Sequence, residues 1–112
     1  MGPVVAYMLI GYTGDIRRFP TRHAYAMYNG TAPIDVSSGG LITRRLNRRG
    51  NRQLNHAIHI AAVTQLRHAH SDGRAYFDRK VTEGKTKKEA LRSLKRRISD
   101  AVYRQLLQDA AR

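Results

Sequence analysis

Two adjacent serines followed by two glycines, Ser37-Ser38-Gly39-Gly40, are the residues of this 112-residue chain whose type and spacing best suit covalent chemistry. A serine hydroxyl can attack a phosphodiester if it reaches the phosphorus and if cations stabilise the charge of the transition state. Neighbouring glycines would give the serine that reach. Taken alone, a Ser-Ser-Gly-Gly sequence is typical of an ordinary turn. The motif therefore nominates Ser38 and Ser37 as catalytic residues only if the rest of the chain indicates phosphoryl transfer.

An arginine-rich segment follows the serines within a few residues. The planar guanidinium group of arginine suits phosphate oxygens, and asparagine can bond either phosphates or base edges. The segment runs into a predicted helix, whose amino end itself favours phosphate. The alternative is that these arginines form a solvent-exposed loop without a binding role. We predict that six residues of this segment bind nucleic acid: Arg44, Arg45, Arg48, Arg49, Asn51 and Arg52.

The charge balance of the whole chain points the same way. Lysine and arginine number 21 against eight aspartates and glutamates, which gives a net charge of +13. Such an excess indicates a polyanionic partner, with nucleic acid as the first candidate and an anionic membrane surface as the second. Charge alone also fits a protein that coats ribosomal RNA, so it predicts the kind of partner and leaves the activity open.

Metal chemistry has little support in the residue inventory. The absence of cysteine excludes disulfides and thiolate metal sites. His56 and His59 lie one helical turn apart, but no carboxylate stands at a spacing that would complete a metal site. Asp15 and Asp35 are the only acids before Asp72, whereas a two-metal nuclease needs several converging carboxylates. We predict no metal and no cofactor in this chain.

The apolar start, MGPVVAYMLI, resembles a signal peptide only superficially, because it lacks a basic leading region and a small-residue cleavage site. No apolar run approaches the roughly 18 residues that a membrane span needs. We therefore expect a cytoplasmic protein with no membrane partner.

Apolar residues recur at three- and four-residue spacing, which predicts an all-α domain. The predicted helices cover residues 2–12, 21–28, 51–68 and 74–82, and a last helix begins at Thr86. Thr21 is the expected N-cap of the second helix, and Thr86 with Glu89 forms a capping-box pattern. Two apolar stripes are predicted: Leu54, Ala57, Ile58, Ala61, Ala62 and Leu66 on the long helix, and Leu91, Leu94, Ile98, Ala101, Val102 and Leu106 on the last.

Residues 31–50 show no helical period and contain glycines, serines and a proline. They form either an irregular loop or a short hairpin around Ser37-Ser38-Gly39-Gly40, and a loop of this length is often functional. Most of the chain's aromatic residues crowd the first thirty positions, where their spacing favours core packing over base stacking: Tyr7, Tyr12, Phe19, Tyr25 and Tyr28.

Seven short motifs in order resemble the C-terminal transposase domain of the insertion sequence 110/116/902 family, and together they span nearly the whole chain. They are Gly2-Pro3; Gly14-Asp15-Ile16 with Arg18-Phe19-Pro20; Tyr28-Asn29-Gly30 with Ala32-Pro33; Ser37-Ser38-Gly39-Gly40; Gly50-Asn51-Arg52-Gln53-Leu54; Arg74-Ala75-Tyr76-Phe77; and Gly84-Lys85. The opening also resembles the second half of a helix-hairpin-helix, with the preceding helix missing.

The resemblance implies a specific chemistry. Ser38, directly before glycine, matches the family's nucleophilic serine best, Ser37 remains open, and the product of attack would be a phosphoserine bond to DNA. It also implies an upstream RuvC-like domain whose carboxylates hold Mg²⁺, a guide RNA and a homo-oligomer. On this interpretation, residues 1–112 are a C-terminal transposase domain without the upstream domain, and we expect the fragment to be inactive alone.

Two other functions remain open at this stage. A non-catalytic helix-hairpin-helix-like module that only binds nucleic acid would show the same charge, and a ribosome-associated protein would prefer structured RNA. A covalent protein–DNA adduct would distinguish the transposase from both.

Overall fold

A computed structural model describes residues 3–32 and 52–111 of the chain. Within these ranges, helices are the only regular secondary structure, so the predicted all-α fold is confirmed for the described residues. The elements are α1 (Pro3–Thr13), a 3₁₀ helix (Ile16–Arg18), α2 (Arg22–Asn29), α3 (Arg52–Arg67), α4 (Asp72–Thr82) and α5 (Lys87–Ala110). The predicted hairpin lies outside the described residues. None of the described helices is long and apolar enough to cross a membrane.

Glycines and capping side chains set the ends of the first helices. Gly14 follows α1 with φ +68°, and its N–H donates to the Ile10 carbonyl at 3.2 Å, so the helix stops there. The predicted N-cap of α2 is confirmed, because the Thr21 Oγ1 accepts a hydrogen bond from the Ala24 N–H at 3.0 Å. Gly30 ends α2 in the left-handed conformation, with φ +80°.

The last helix starts as predicted, and the one before it does not. The Thr86 Oγ1 accepts from the Glu89 N–H, the Glu89 carboxylate accepts from the Thr86 N–H, both at 3.1 Å, and the capping box is thereby confirmed. The prediction that α4 begins at Arg74 is wrong, because the helix begins at Asp72. Ser71 is the N-cap of α4, so that Asp72 and Gly73 lie inside the helix, and its hydroxyl also donates to the Gln65 carbonyl at 2.6 Å.

The helices enclose one core. α1 packs on α3, α2 packs on α5, and α4 packs against both α3 and α5. The predicted apolar stripe of α3 is confirmed, since Leu54, Ala57, Ile58, Ala61 and Ala62 are buried and Leu66 packs partly buried against them.

The predicted stripe of α5 is right along most of its length and wrong at Ala101, which is exposed. Ala90, three turns earlier on the same side of the helix, is fully buried. α4 has 11 residues and α5 has 24, so α4 covers only about half of α5. Ala90 lies in the covered half and Ala101 beyond it. Ser99 and Tyr103 of α5 are also buried, although the predicted apolar stripe did not include them.

The aromatic residues divide into a buried and an exposed set. Phe19 and Tyr25 are buried edge to face with ring centroids 5.3 Å apart, and Tyr28 packs tilted on Phe19 at 4.9 Å. The prediction of core packing is confirmed for these three. It is wrong for Tyr7 and Tyr12, which are exposed on α1, as are Val4 and Ile10.

Candidate nucleic-acid interface

A polar network joins the end of α2 to α5. Asn29, fully buried at the end of α2, donates from Nδ2 to the Ser99 Oγ at 2.8 Å. Its Oδ1 accepts from the N–H of Thr31 at 3.1 Å and from the Thr31 hydroxyl at 2.7 Å. These bonds satisfy both ends of the amide, which would otherwise be costly to bury. They hold the chain in place immediately before residue 33.

The same network extends to the first turn of α3. Asn55, on the first turn of α3, donates from Nδ2 to the Asn29 carbonyl at 3.0 Å. Its Oδ1 accepts from the Lys95 ammonium of α5 at 3.3 Å. A side chain at Gly30 would meet Asn55 Nδ2 at 3.0 Å, so the amide lies close against the end of α2. Both ends of the segment that contains the serines and arginines are therefore attached to one cluster: Asn29, Thr31, Asn55, Lys95 and Ser99.

Cations dominate the outer side of α5 and neighbouring α4. Arg97 stacks on the Tyr76 ring with its guanidinium carbon 4.5 Å from the ring centroid. Arg79 and Lys80 each lie 5.4 Å from the same centroid. Three cations thus share one half-buried ring, which holds their stems while leaving positive charge at the surface.

Local ion pairs neutralise only part of this charge. Within residues 3–32 and 52–111, carboxylates pair with Arg17, Arg74, Lys80 and Arg96. Exposed pairs of this kind contribute little to stability. The remaining lysines and arginines outnumber the remaining acids, and α5 alone adds exposed Lys87, Lys88 and Arg92.

The two histidines of the first two turns of α3 differ in exposure. His59 is half-buried and His56 is exposed one turn before it. Burial first, then the charges of Lys95 and His56, hold the pKa of His59 below its ordinary value. Over the part of the chain that the structure describes, no three metal-ligating side chains converge. The arrangement suits anions rather than metal cations.

A family model described as the transposase IS116/IS110/IS902 family matches residues 1–78 of the chain. The chain belongs to this transposase family. The match covers α1 to α3, most of α4, and the whole segment that carries the predicted serines and arginines.

Two relatives agree with this assignment. The chain is 36% identical over 107 residues to the insertion element IS110 uncharacterized 43.6 kDa protein of Streptomyces coelicolor, covering 95% of the chain and 26% of that protein. It is 32% identical over 102 residues to the insertion element IS900 uncharacterized 42 kDa protein of Mycobacterium paratuberculosis, covering 90% of the chain and 25% of that protein. The chain spans about a quarter of the length of these relatives. No solved structure matches it.

Most of the predicted site residues of this transposase domain lie outside the described residues: Ser37, Ser38, Arg44, Arg45, Arg48, Arg49 and Asn51. Arg52 is described. It is exposed and is the first residue of α3, one turn before Asn55. Arg52 thus lies at the amino end of this helix, and its nucleic-acid-binding role, like the roles of the seven other residues, stays a prediction.

Sequence reasoning missed the polar network altogether. Asn29 and Ser99 are 70 residues apart, and no local pattern connects them. A signal was available in α5, where Ser99 falls among positions that the helical period places toward the core. A hydroxyl in such a position indicates a buried partner, because an unpaired buried hydroxyl is unfavourable.

Proposed function

We propose that this chain is the DNA-binding and strand-transfer domain of an insertion-sequence transposase, in which Ser38 attacks a DNA phosphodiester. The observation that carries the proposal is the family match over residues 1–78, which includes Ser37-Ser38-Gly39-Gly40 and the arginines that follow. The attachment of both ends of this segment to one buried polar network supports it. A nucleophile that must meet a phosphorus with ångström accuracy needs such fixed supports.

The proposed step exchanges one phosphorus–oxygen bond for another. The Ser38 oxygen forms a bond to phosphorus while a bridging oxygen of the DNA backbone leaves with its electron pair. The serine proton passes to a base, and the leaving oxygen takes up a proton. The phosphoserine bond stores the energy of the broken phosphodiester, so a hydroxyl of a second DNA end can reverse the step and join new strands. Arg44, Arg45, Arg48 and Arg49 are the proposed source of positive charge around the phosphorus.

The remaining partners of the proposal come from the family resemblance. An upstream RuvC-like domain would hold Mg²⁺ on its carboxylates. A guide RNA would select the DNA partners, and the full protein would act as a homo-oligomer in the cytoplasm, where bacterial DNA lies. The cations of α3 to α5 can contact either nucleic acid.

A second function, nucleic-acid binding without catalysis, is favoured by one observation. The cations of α4 and α5 and their stacking on Tyr76 are independent of Ser38. A domain that only bound DNA or RNA would keep all of these features, and its serines would be dispensable.

Substitution of the serines in the full-length transposase separates the two functions. Ser38→Ala should abolish strand cleavage and leave DNA and RNA binding nearly unchanged, because the hydroxyl acts in the transition state and adds little to ground-state binding. Ser37→Ala is the matched control and should be milder. Covalent DNA adducts at near wild-type rate in Ser38→Ala would reject the assignment and make Ser37 the next candidate.

DNA binding itself is tested by its salt dependence. About five arginine–phosphate contacts give a slope of log K against log salt of roughly −4 to −5 on duplex DNA. Binding that does not respond to salt, or that is absent at low salt, would count against every nucleic-acid function.

A further inference from the structure

Lys95 is in an unusual position for a lysine. Its ammonium reaches inward from α5 to Asn55 Oδ1 at 3.3 Å, and the side chain is half-buried. Among the described residues no carboxylate pairs with it, so one neutral acceptor occupies one of its three N–H donors. Burial lowers the pKa of Lys95. An ammonium group that is partly desolvated without a counter-ion is destabilising, and an anion would relieve it.

The residues around Lys95 are also cationic or neutral donors. On α3, Arg52, His56 and His59 share one side of the first two turns with Asn55, at spacings of three and four residues. On α5, Arg92 precedes Lys95 by three residues and is exposed on the same side. Lys95 reaches Asn55, and His56 and His59 lie within one turn of Asn55 on the same side of α3, so the ammonium and the two imidazoles lie at the same place between the two helices. The group combines fixed and titratable positive charge around the inward-pointing ammonium.

We infer that Lys95, His59 and His56 form a phosphodiester-binding subsite between α3 and α5, with Arg52 and Arg92 at its rim. Its ligand is a backbone phosphate of DNA or RNA, bound next to the end of the segment that carries Ser38. The inference rests on the proposed function for the identity of the polyanion. It adds a phosphate contact made by residues of α3 and α5 to the contacts proposed for Arg44, Arg45, Arg48 and Arg49. Asn55 ties this contact to Asn29, so a bound backbone and the supports of the candidate nucleophile share one network.

The subsite has a pH signature that a merely structural cluster lacks. A bound phosphate favours protonated His59, whereas Lys95 and His56 oppose protonation in the free protein. Affinity should therefore rise as the pH falls from 8 to 6 and His59 gains its charge. The charged groups that act on His59 are Lys95 of α5 and His56 of its own helix, and Arg52 and Arg92 add positive charge on the same sides of α3 and α5.

Fluorescence anisotropy of the 112-residue chain with a 20-base-pair DNA duplex and with a single-stranded RNA tests the subsite. Lys95→Gln should weaken binding about fivefold and reduce the salt slope by about 0.9 on duplex DNA or about 0.7 on the single strand. Arg104→Gln removes one exposed charge on the opposite side of α5 and is the matched control, with less than a twofold effect. A loss confined to one nucleic acid assigns the phosphate to that strand, and either pattern supports the subsite.

His59→Gln is the second variant, and it keeps the test valid if Lys95→Gln fails to fold. It should weaken binding at pH 6 and leave it unchanged at pH 8, while His68→Gln at the other end of α3 should have no effect at either pH. If wild-type protein binds with a steep salt slope and Lys95→Gln and His59→Gln both behave like their controls, the subsite is wrong and the proposed function stands. If wild-type protein binds neither nucleic acid at low salt, the proposed function is wrong as well.

Discussion

Two regions of this domain hold helices together by different means. In the apolar core, Ile58 and Leu94 bury whole side chains and the helices pack by shape and by loss of apolar surface from water. At the ends of the segment 33–51, buried amides and hydroxyls make directed bonds, as between Asn29 and Ser99. Apolar packing tolerates small shifts, whereas a hydrogen-bonded network fixes positions and is costly when one member is lost. The directed contacts lie on either side of the segment 33–51, at the end of α2 and the start of α3.

The largest effect should come from emptying the core. Ile58→Ala should destabilise the protein by roughly 2–5 kcal/mol, because Ile58 is fully buried and its removal leaves a cavity. Leu94→Ala should do the same. Ile10→Ala removes the same side chain as Ile58→Ala from a site that is 57% exposed, and should change stability by less than about 0.5 kcal/mol. Urea unfolding of the three variants measures the difference, and equal effects at Ile58 and Ile10 would show that the core is misplaced.

Breaking the polar network should cost somewhat less. Asn29→Ala removes the bonds to Ser99 and Thr31 and leaves the buried Ser99 hydroxyl without this partner, for a loss of roughly 1–3 kcal/mol. Thr82→Ala removes an exposed hydrogen bond to the Asp78 carbonyl and is the control, with an effect below about 0.5 kcal/mol. A double-mutant cycle of Asn29→Ala with Ser99→Ala should show a coupling energy of about 0.5 kcal/mol or more. Additive losses would mean that the two side chains do not act together.

The same substitution should have opposite signs at two helical glycines. An added Cβ at Gly73 would lie 2.8 Å from Gln65 Cβ, so Gly73→Ala should destabilise by roughly 1 kcal/mol despite its better helix propensity. Gly11 has open space around it on α1, and Gly11→Ala should stabilise by about 0.5–1 kcal/mol. Thermal melts distinguish the signs. Stabilisation by both changes would show that α3 and α4 are further apart at Gly73 than in this structure.

The smallest effect concerns pH. Burial and the charges of Lys95 and His56 hold the pKa of His59 below its ordinary value, so the folded state disfavours protonation. The contribution of His59 to the free energy of unfolding is therefore fully present above its unfolded-state pKa of about 6.5, and it is lost as the pH falls below that value. His59→Gln should flatten that part of the stability–pH curve, while His23→Gln, on the surface of α2, should leave it as in the wild type. An unchanged slope in His59→Gln would reject the environment described for this histidine.

Capping patterns and apolar periodicity predicted most of the described helices, but they did not predict the polar network that joins α2, α3 and α5. The capping box at Thr86 and Glu89 and the apolar stripe of α3 depend on residues within one or two turns, so the sequence pattern contains them. The start of α4 was predicted wrongly because Gly73, a helix breaker by propensity, lies in a helix that begins at the Ser71 cap and packs against Gln65. The bond between Asn29 and Ser99 spans 70 residues and depends on how α2 meets α5. Such a contact depends on how distant helices pack, and the spacing of apolar residues within one helix does not contain that information.

The central claim is that Ser38 forms the covalent bond to DNA. The most direct measurement is mass spectrometry of the adduct that the full-length transposase forms with a nicked DNA substrate, after digestion of the protein to peptides and of the DNA to nucleotides. The account predicts a nucleotide attached through phosphate to Ser38, in the peptide that also contains Gly39 and Gly40. Attachment to any other residue, or cleaved DNA without a protein-linked nucleotide, would contradict it.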